Sequence, residues 1–214
     1  MKAKEFAAIG NALTADLPQA VVRGPMTFLV PVGNTLRGLH FEGSSFDADS
    51  FYIWWFFLPL FVPTDVVHFS FGNRIRLRSG ADRWNRKDND FMSELNDGVR
   101  RDALPVLRRV ESVGGMIEVL QEQVARTGGK SVSAREALAY SLAFAGDFET
   151  AKDQLREVKG SLNLTIPWQK EMGERADLLS ERLSHGQQAV ASQLDEWRHR
   201  TVENLKLETV GAAL

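Results

Sequence analysis

The run FYIWWFFLPLFV at residues 51–62 constrains this chain more than any other segment. It carries no charge, and Pro59 sits inside it. A membrane-spanning helix needs about 20 apolar residues, so a run this short, broken by proline, is read as buried structure. Aromatic and β-branched side chains favour a strand. Residues 51–57 show no alternation of apolar and polar side chains, so a strand here has to be covered on both faces. The simplest arrangement is a central strand with an N-terminal helix on one face and later helices on the other. If the chain leaves one face uncovered, that face is a binding surface.

The flanking sequence supplies partners for such a strand. VVRGPMTFLVPV, TLRGLHFEGSSF and VVHFSFGNRIRLR are strand-like, and Gly24-Pro25, Gly33-Asn34, Gly43-Ser44 and Pro63-Thr64 mark turns between them. Val67, Phe69 and Phe71 alternate with His68, Ser70 and Gly72, which predicts a strand with one buried face. Short turns favour antiparallel pairing, and the sheet is expected over about residues 21–78. Ahead of it, Phe6, Ile9, Leu13 and Leu17 recur at helical spacing, predicting a helix over about 3–17 ended by Pro18. Glu5, Asn11 and Asp16 interrupt the apolar residues of this segment, so it is not read as a signal peptide. A cytoplasmic location is expected.

Past Gly80 the helical period returns. Asp88 or Asn89 is placed to cap a helix through Phe91, Leu95 and Val99, and Pro105 predicts a kink or a new start near Ala103. Leu107 and Val110, then Ile117, Leu120 and Val124, carry the helical face to Gly128-Gly129, giving helices over about 89–127. Ser133 and Glu136 have capping-box spacing. A hairpin follows at about 133–159, turning at Gly146-Asp147, and Pro167 opens a long helix over about 167–207. The expected class is α+β: an N-terminal helix, an antiparallel aromatic-rich sheet and a helical C-terminal half. An α+β domain at 1–130 and a helical region at 131–214 are expected. A chain of 214 residues needs no disulfide or metal to hold its core.

The residue inventory excludes several chemistries. There is no cysteine, which removes disulfides, thiolate zinc sites, iron–sulfur clusters and cysteine nucleophiles. His40, His68, His185 and His199 form no HxH or HExxH pattern. His40 and His68 become neighbours if their strands pair, and with Glu42 they would make a small site; ordinary sheet histidines are the competing reading. Glu42, Asp47 and Asp49 flank the GSSF turn but match no calcium loop, and Ser44 and Ser45 lack a nucleophile elbow. Gly114-Gly115 is a lone pair without a phosphate-binding fingerprint. No catalytic residue, metal ligand set or cofactor is expected.

Two surfaces fit a macromolecular partner. Arg74, Arg76 and Arg78 would project from one face of a strand. They form either an anion-binding face or a row paired with Asp82, Asp88, Asp90, Glu94 and Asp97. A net charge of -2 and aromatics not interleaved with the arginines disfavour nucleic acid. The last helix carries a stripe through Met172, Ala176, Leu179, Leu183, Val190, Leu194 and Trp197, with Gly186 placed to bend or split it. The stripe packs either on the chain's own core or on another chain, a protein partner or a second copy. Trp197, beside Arg198, would anchor an interface if exposed.

Two resemblances add to this. EALAYSLAFAGDFETAKDQLREV resembles a single tetratricopeptide repeat, with Ala139, Leu142, Gly146, Phe148, Ala151 and Leu155 at matching positions. Arg135 stands near the place of the family's early aromatic, Asn163 where proline is expected, and no second copy occurs. Repeats of this kind need about three copies to stand alone, so one hairpin packed on the rest of the chain is expected. The aromatic run, FGNRIR, Trp84 and LPVLRRVES make residues 1–127 similar to a bacterial family known as domain of unknown function 4304. That resemblance implies an α+β fold and assigns no catalytic residue. The functional expectation is a non-catalytic bacterial protein–protein interaction module, in its specific form an immunity- or antitoxin-type inhibitor. The alternatives are a nucleic-acid-associated or hydrolytic accessory protein using the arginine row and acidic loop, and a subunit that self-associates through its last helix.

Overall fold

A computed structural model describes residues 2–15, 17 and 19–211. The fold is α+β, with an antiparallel sheet in the N-terminal half and helices dominating the C-terminal half. The chain divides into two compact units, residues 1–58 with 67–111 and 207–214, and residues 59–66 with 112–206. The division falls at 111/112 rather than near 130.

The sheet unit opens with α1 (Ala3–Leu13), which buries Phe6, Ile9 and Leu13. It ends earlier than the spacing of Leu17 predicts; Pro18, expected to end it, lies outside the described residues. Six strands follow: β1 (Ala20–Arg23), β2 (Met26–Leu29), β3 (Thr35–Gly43), β4 (Ser50–Pro59), β5 (Gly72–Arg74) and β6 (Trp84–Asn85). Their order is β1-β2-β3-β4-β5, with β6 also pairing β4, so the aromatic run is an interior strand. A Cβ at Gly10 of α1 would lie 2.6 Å from Thr27 Oγ1, so the helix needs glycine to lie this close to β2.

Register fixes what each sheet face carries. Met26 pairs with His40 and Phe28 with Gly38, while Trp54 pairs with Arg74 and Phe56 with Gly72. These residues share one face. The other face carries Leu39, Phe41, Phe51 and Ile53, and it packs against Phe6, Ile9 and Leu13 of α1 together with Leu95, Val99 and Leu107. Those last three come from α2 (Phe91–Gly98), a π-helical segment (Val99–Ala103) and α3 (Leu104–Arg109). Asp90 occupies the N-cap of α2, in place of Asp88 or Asn89. Pro105 stands in the first turn of α3, as expected, and the wider π turn before it accommodates the proline's missing N–H.

The strand expected through residues 67–78 is mostly absent. Phe71 still takes a ladder bond, its carbonyl accepting from Phe57 N at 3.1 Å, but residues 67–70 add no strand, and Phe69 stacks over the sheet face instead. After Arg74, Ile75 N donates to Ile53 O at 2.8 Å. Beyond that, carboxylates replace the ladder: Arg76 N donates to Asp102 and Arg78 N to Glu94.

The helical unit comprises α4 (Val113–Arg126), α5 (Val132–Ala145), α6 (Phe148–Ser161), α7 (Pro167–Ser184) and α8 (Gln187–Asn204). Helix α5 packs against α4, α6, α7 and α8, which explains why its residues 136–143 are all buried. Its cap is Ser131, whose hydroxyl accepts from Ala134 N; Ser133 lies inside the helix, and Glu136 turns inward rather than back to the cap. Gly146, at φ +86, closes α5, and Asp147 caps α6 through Thr150 N. The long last helix is two helices, broken at His185-Gly186, with Gly186 at φ +92. Met172, Ala176, Leu179, Leu183, Val190, Leu194 and Trp197 are all buried, so the stripe is used inside the fold. A short 3₁₀ turn (Leu207–Val210) buries Leu207 and Val210 and belongs to the sheet unit. Among the described residues, no helix is long and apolar enough to cross a membrane.

Candidate functional site

The sheet face that α1 does not cover brings three of the sequence-predicted residues together. His40 on β3 stacks on Phe69 with centroids 4.8 Å apart, and Phe69 stacks in turn on Trp54 of β4 at 5.8 Å. The Trp54 indole N–H donates to Glu42 at 2.9 Å. The Arg74 guanidinium lies 4.1 Å from the Tyr52 ring centroid and 4.9 Å from that of Trp54. It pairs with Asp82 at 2.7 Å and stands 3.9 Å from Glu42. Rings on one side and a carboxylate on the other therefore hold Arg74 in place.

Tyr52, Trp54 and Phe69 were not singled out by sequence reasoning. The signal was present as shared parity: Glu42 and His40 alternate along β3 as Tyr52 and Trp54 do along β4. The unbroken apolar character of residues 51–57 hid it.

This face is half-buried at His40, Tyr52, Trp54, Phe69 and Arg74. Two of its nitrogens, His40 Nδ1 and Arg74 Nε, are sealed from solvent without a hydrogen-bond partner among the described residues. Burial holds the His40 pKa below its ordinary value, with the Glu42 charge opposing. The Asp82 carboxyl is held low by its hydrogen bond from Arg74. His68 does not join this cluster. Its ring meets Phe71 edge-on at 5.5 Å, its Nδ1 is also buried without a partner, and burial lowers its pKa. Among the described residues no group of three or more His, Cys, Asp or Glu is placed to hold a metal ion.

The arginine row does not form one free cationic face. Arg76 and Arg78 lie beyond the end of β5. Arg78 pairs with Asp97, and Arg101 pairs with Asp102 while donating to Arg76 O. With Arg74 on Asp82, the acids of the neighbouring helix and loop balance most of this charge. The acidic GSSF loop is likewise tied internally. Asp47 accepts from Ser50 Oγ at 2.5 Å, and Asp49 pairs with Arg86 and Lys87. At the tip of that turn, Phe46 is 91% exposed.

In the helical unit, Trp197 is 5% exposed and stacks on Tyr140 at 5.1 Å, so it is a core residue and not an exposed anchor. Arg198 pairs with Asp195 at 3.2 Å and is largely buried. Close to Trp197 lies a buried polar cluster. Glu136, 3% exposed, accepts from Arg175 Nε at 3.1 Å, from Arg175 Nη2 at 2.8 Å and from the Tyr140 hydroxyl at 3.2 Å. Burial pushes the Glu136 carboxyl up, against the pull of Arg175, and raises Tyr140 well above its ordinary value. Arg175 and Trp197 also line a cavity of about 710 Å³ bounded by α7, α8 and residues 63–65, all within this unit. Compared with known proteins, the chain matches no family model, no curated protein and no solved structure.

Proposed function

We propose that the chain is a non-catalytic binding module that docks a protein partner on the sheet face formed by His40, Tyr52, Trp54, Phe69 and Arg74. One observation carries this reading: half-buried Tyr52 and Trp54 hold the Arg74 guanidinium against their rings on the sheet face that α1 does not cover. Interface hot spots are enriched in Trp, Tyr and Arg, the residues gathered here. Arg74 is already fixed by its rings and by Asp82, so little side-chain entropy is lost on docking. Asp82 balances the Arg74 charge, and the guanidinium offers donors only. The partner that fits is an apolar protein segment carrying a carbonyl or carboxylate acceptor.

The specific form of this reading is an immunity- or antitoxin-type inhibitor that occludes a cognate protein. Occlusion requires complementarity alone and no catalytic group. The acid-paired arginines weigh against a nucleic-acid partner, and the buried stripe of α7 and α8 weighs against self-association through that stripe.

The test is affinity capture on the full chain, followed by titration of the purified partner against the Trp54→Ala and Arg74→Ala variants. We expect a 1:1 complex that each variant weakens on the order of 30-fold, the cost of losing a hot spot. Arg156→Ala, a change on an exposed helical surface, should leave the complex intact. The reading is overturned if the partner binds both variants as tightly as the parent, or if only nucleic acid is retained.

A further inference from the structure

The cavity of about 710 Å³ in the helical unit falls within the range of small-molecule sites, about 300–1,000 Å³. Its charges are sorted by depth. The floor is made by buried Trp197 and Gln193 with half-buried Arg175 and Arg182. The rim is made by exposed Asp65, Glu171, Glu174 and Glu196, with Arg200 as its one cation among the described residues. Donors lie deep and carboxylates lie outside.

The floor is built rather than incidental. Glu136 grips Arg175 through two of its nitrogens, fixing the guanidinium against the cavity. Gln193 bridges Arg182 and Glu196, accepting from the first at 3.4 Å and donating to the second at 3.3 Å. Trp197 has one face against Tyr140. Its indole N–H has no hydrogen-bond partner among the described residues and is not one of the sealed nitrogens, so it is open to the cavity that the side chain lines. A tryptophan N–H is a donor only, so the group that completes it must be an acceptor.

We propose that this cavity binds a zwitterion, a free amino acid or a short peptide, carboxylate first. The carboxylate accepts from the Trp197 indole N–H and from the guanidinium groups of Arg175 and Arg182. The ammonium group stands at the rim beside Glu171 and Glu174. An anion without a positive group would have to pass the acidic rim uncompensated, and a plain cation would meet the donors at the floor.

The experiment is a titration of the ¹⁵N-labelled full chain, following indole N–H resonances. There are five tryptophans, and Trp197→Phe assigns the one of interest. The probes are glycine, triglycine, triglycinamide and N-acetyl-triglycine. A saturable shift of the Trp197 indole is expected with triglycine. Amidation of the carboxylate should weaken binding on the order of tenfold or more, as loss of a charge-assisted hydrogen bond does. Acetylation should weaken it less, because the rim acids are screened by solvent. Glycine binding as tightly as triglycine assigns the site to free amino acids; tighter triglycine binding assigns it to peptide ends. Arg182→Gln alters a partly exposed side chain, so the fold should persist while affinity falls. The proposal fails if the Trp197 indole stays unmoved to about 10 mM ligand, a concentration that fills even a weak millimolar site. It also fails if the amide or the N-acetyl peptide binds as well as triglycine, or if Arg182→Gln changes nothing. None of these outcomes bears on docking at the sheet face.

Discussion

His40 and His68 both sit in partly buried surroundings that favour the neutral ring. Their pKa values are lowered in the fold, so between the ordinary value of 6.5 and the folded value the unfolded chain binds more protons. Stability is therefore full above about pH 6.5 and falls as pH drops below it. The groups facing His40 are Phe69 and Glu42, and only the Glu42 charge resists this loss. His68 faces Phe71 and no charge among its named contacts. Urea midpoints measured from pH 7.5 to 5.5 should fall for the parent chain. The fall should be shallower in His40→Phe and His68→Phe; unchanged slopes would show that neither ring carries the effect. Glu136 works in the opposite sense. Its raised pKa favours the acid end of the range, so the histidine contribution is read from the difference between parent and variant.

At the scale of elements, the cap of α5 separates two serines that look alike in sequence. The Ser131 hydroxyl accepts from Ala134 N at 3.3 Å, while Ser133 lies within the helix. Ser131→Ala should cost about 1 kcal/mol in urea unfolding and Ser133→Ala close to nothing. A larger loss for Ser133→Ala than for Ser131→Ala would return the cap to Ser133. The capping-box spacing of Ser133 and Glu136 misled because Glu136 has a stronger tertiary partner in Arg175, which lies 39 residues away. The same competition explains the lost strand. Residues 67–71 alternate as a strand should, yet Phe69 gains more by stacking on His40 and Trp54 than by continuing a ladder. Where local pattern faced no long-range rival, it was legible: α1, the hairpin turn at Gly146, the start of α7 at Pro167 and the break at Gly186. Part of the sheet-face cluster was legible in His40, Glu42 and Arg74, but the rings joining them were not. The helical cavity was invisible, because it depends on where α7 and α8 meet.

At the scale of the molecule, neither unit is a continuous stretch of chain. Residues 59–66 leave the sheet-forming sequence to join the helical unit, where fully buried Phe61 stacks on Phe144 at 5.2 Å. The 3₁₀ turn at Leu207–Val210 returns to the sheet unit. A fragment of residues 1–111 would therefore carry an orphaned apolar loop and lack two buried side chains, Leu207 and Val210. Its urea midpoint should fall well below that of the sheet unit in the full chain, with exposed apolar surface detectable by dye binding. A fragment as stable as the parent would make residue 111 a simple domain boundary.

That interleaving also orders events during synthesis. A ribosome that has just made residue 111 has supplied every strand of the sheet, but the turn that completes the unit, at residue 207, is still to come. At about 5–20 residues per second the wait is roughly 5 to 20 s, far longer than a helix or hairpin needs to form. Through that interval the nascent sheet must wait unfinished while the helices intended for the other unit emerge one after another. Leu207 and Val210, made long after the strands, complete the unit that the strands begin.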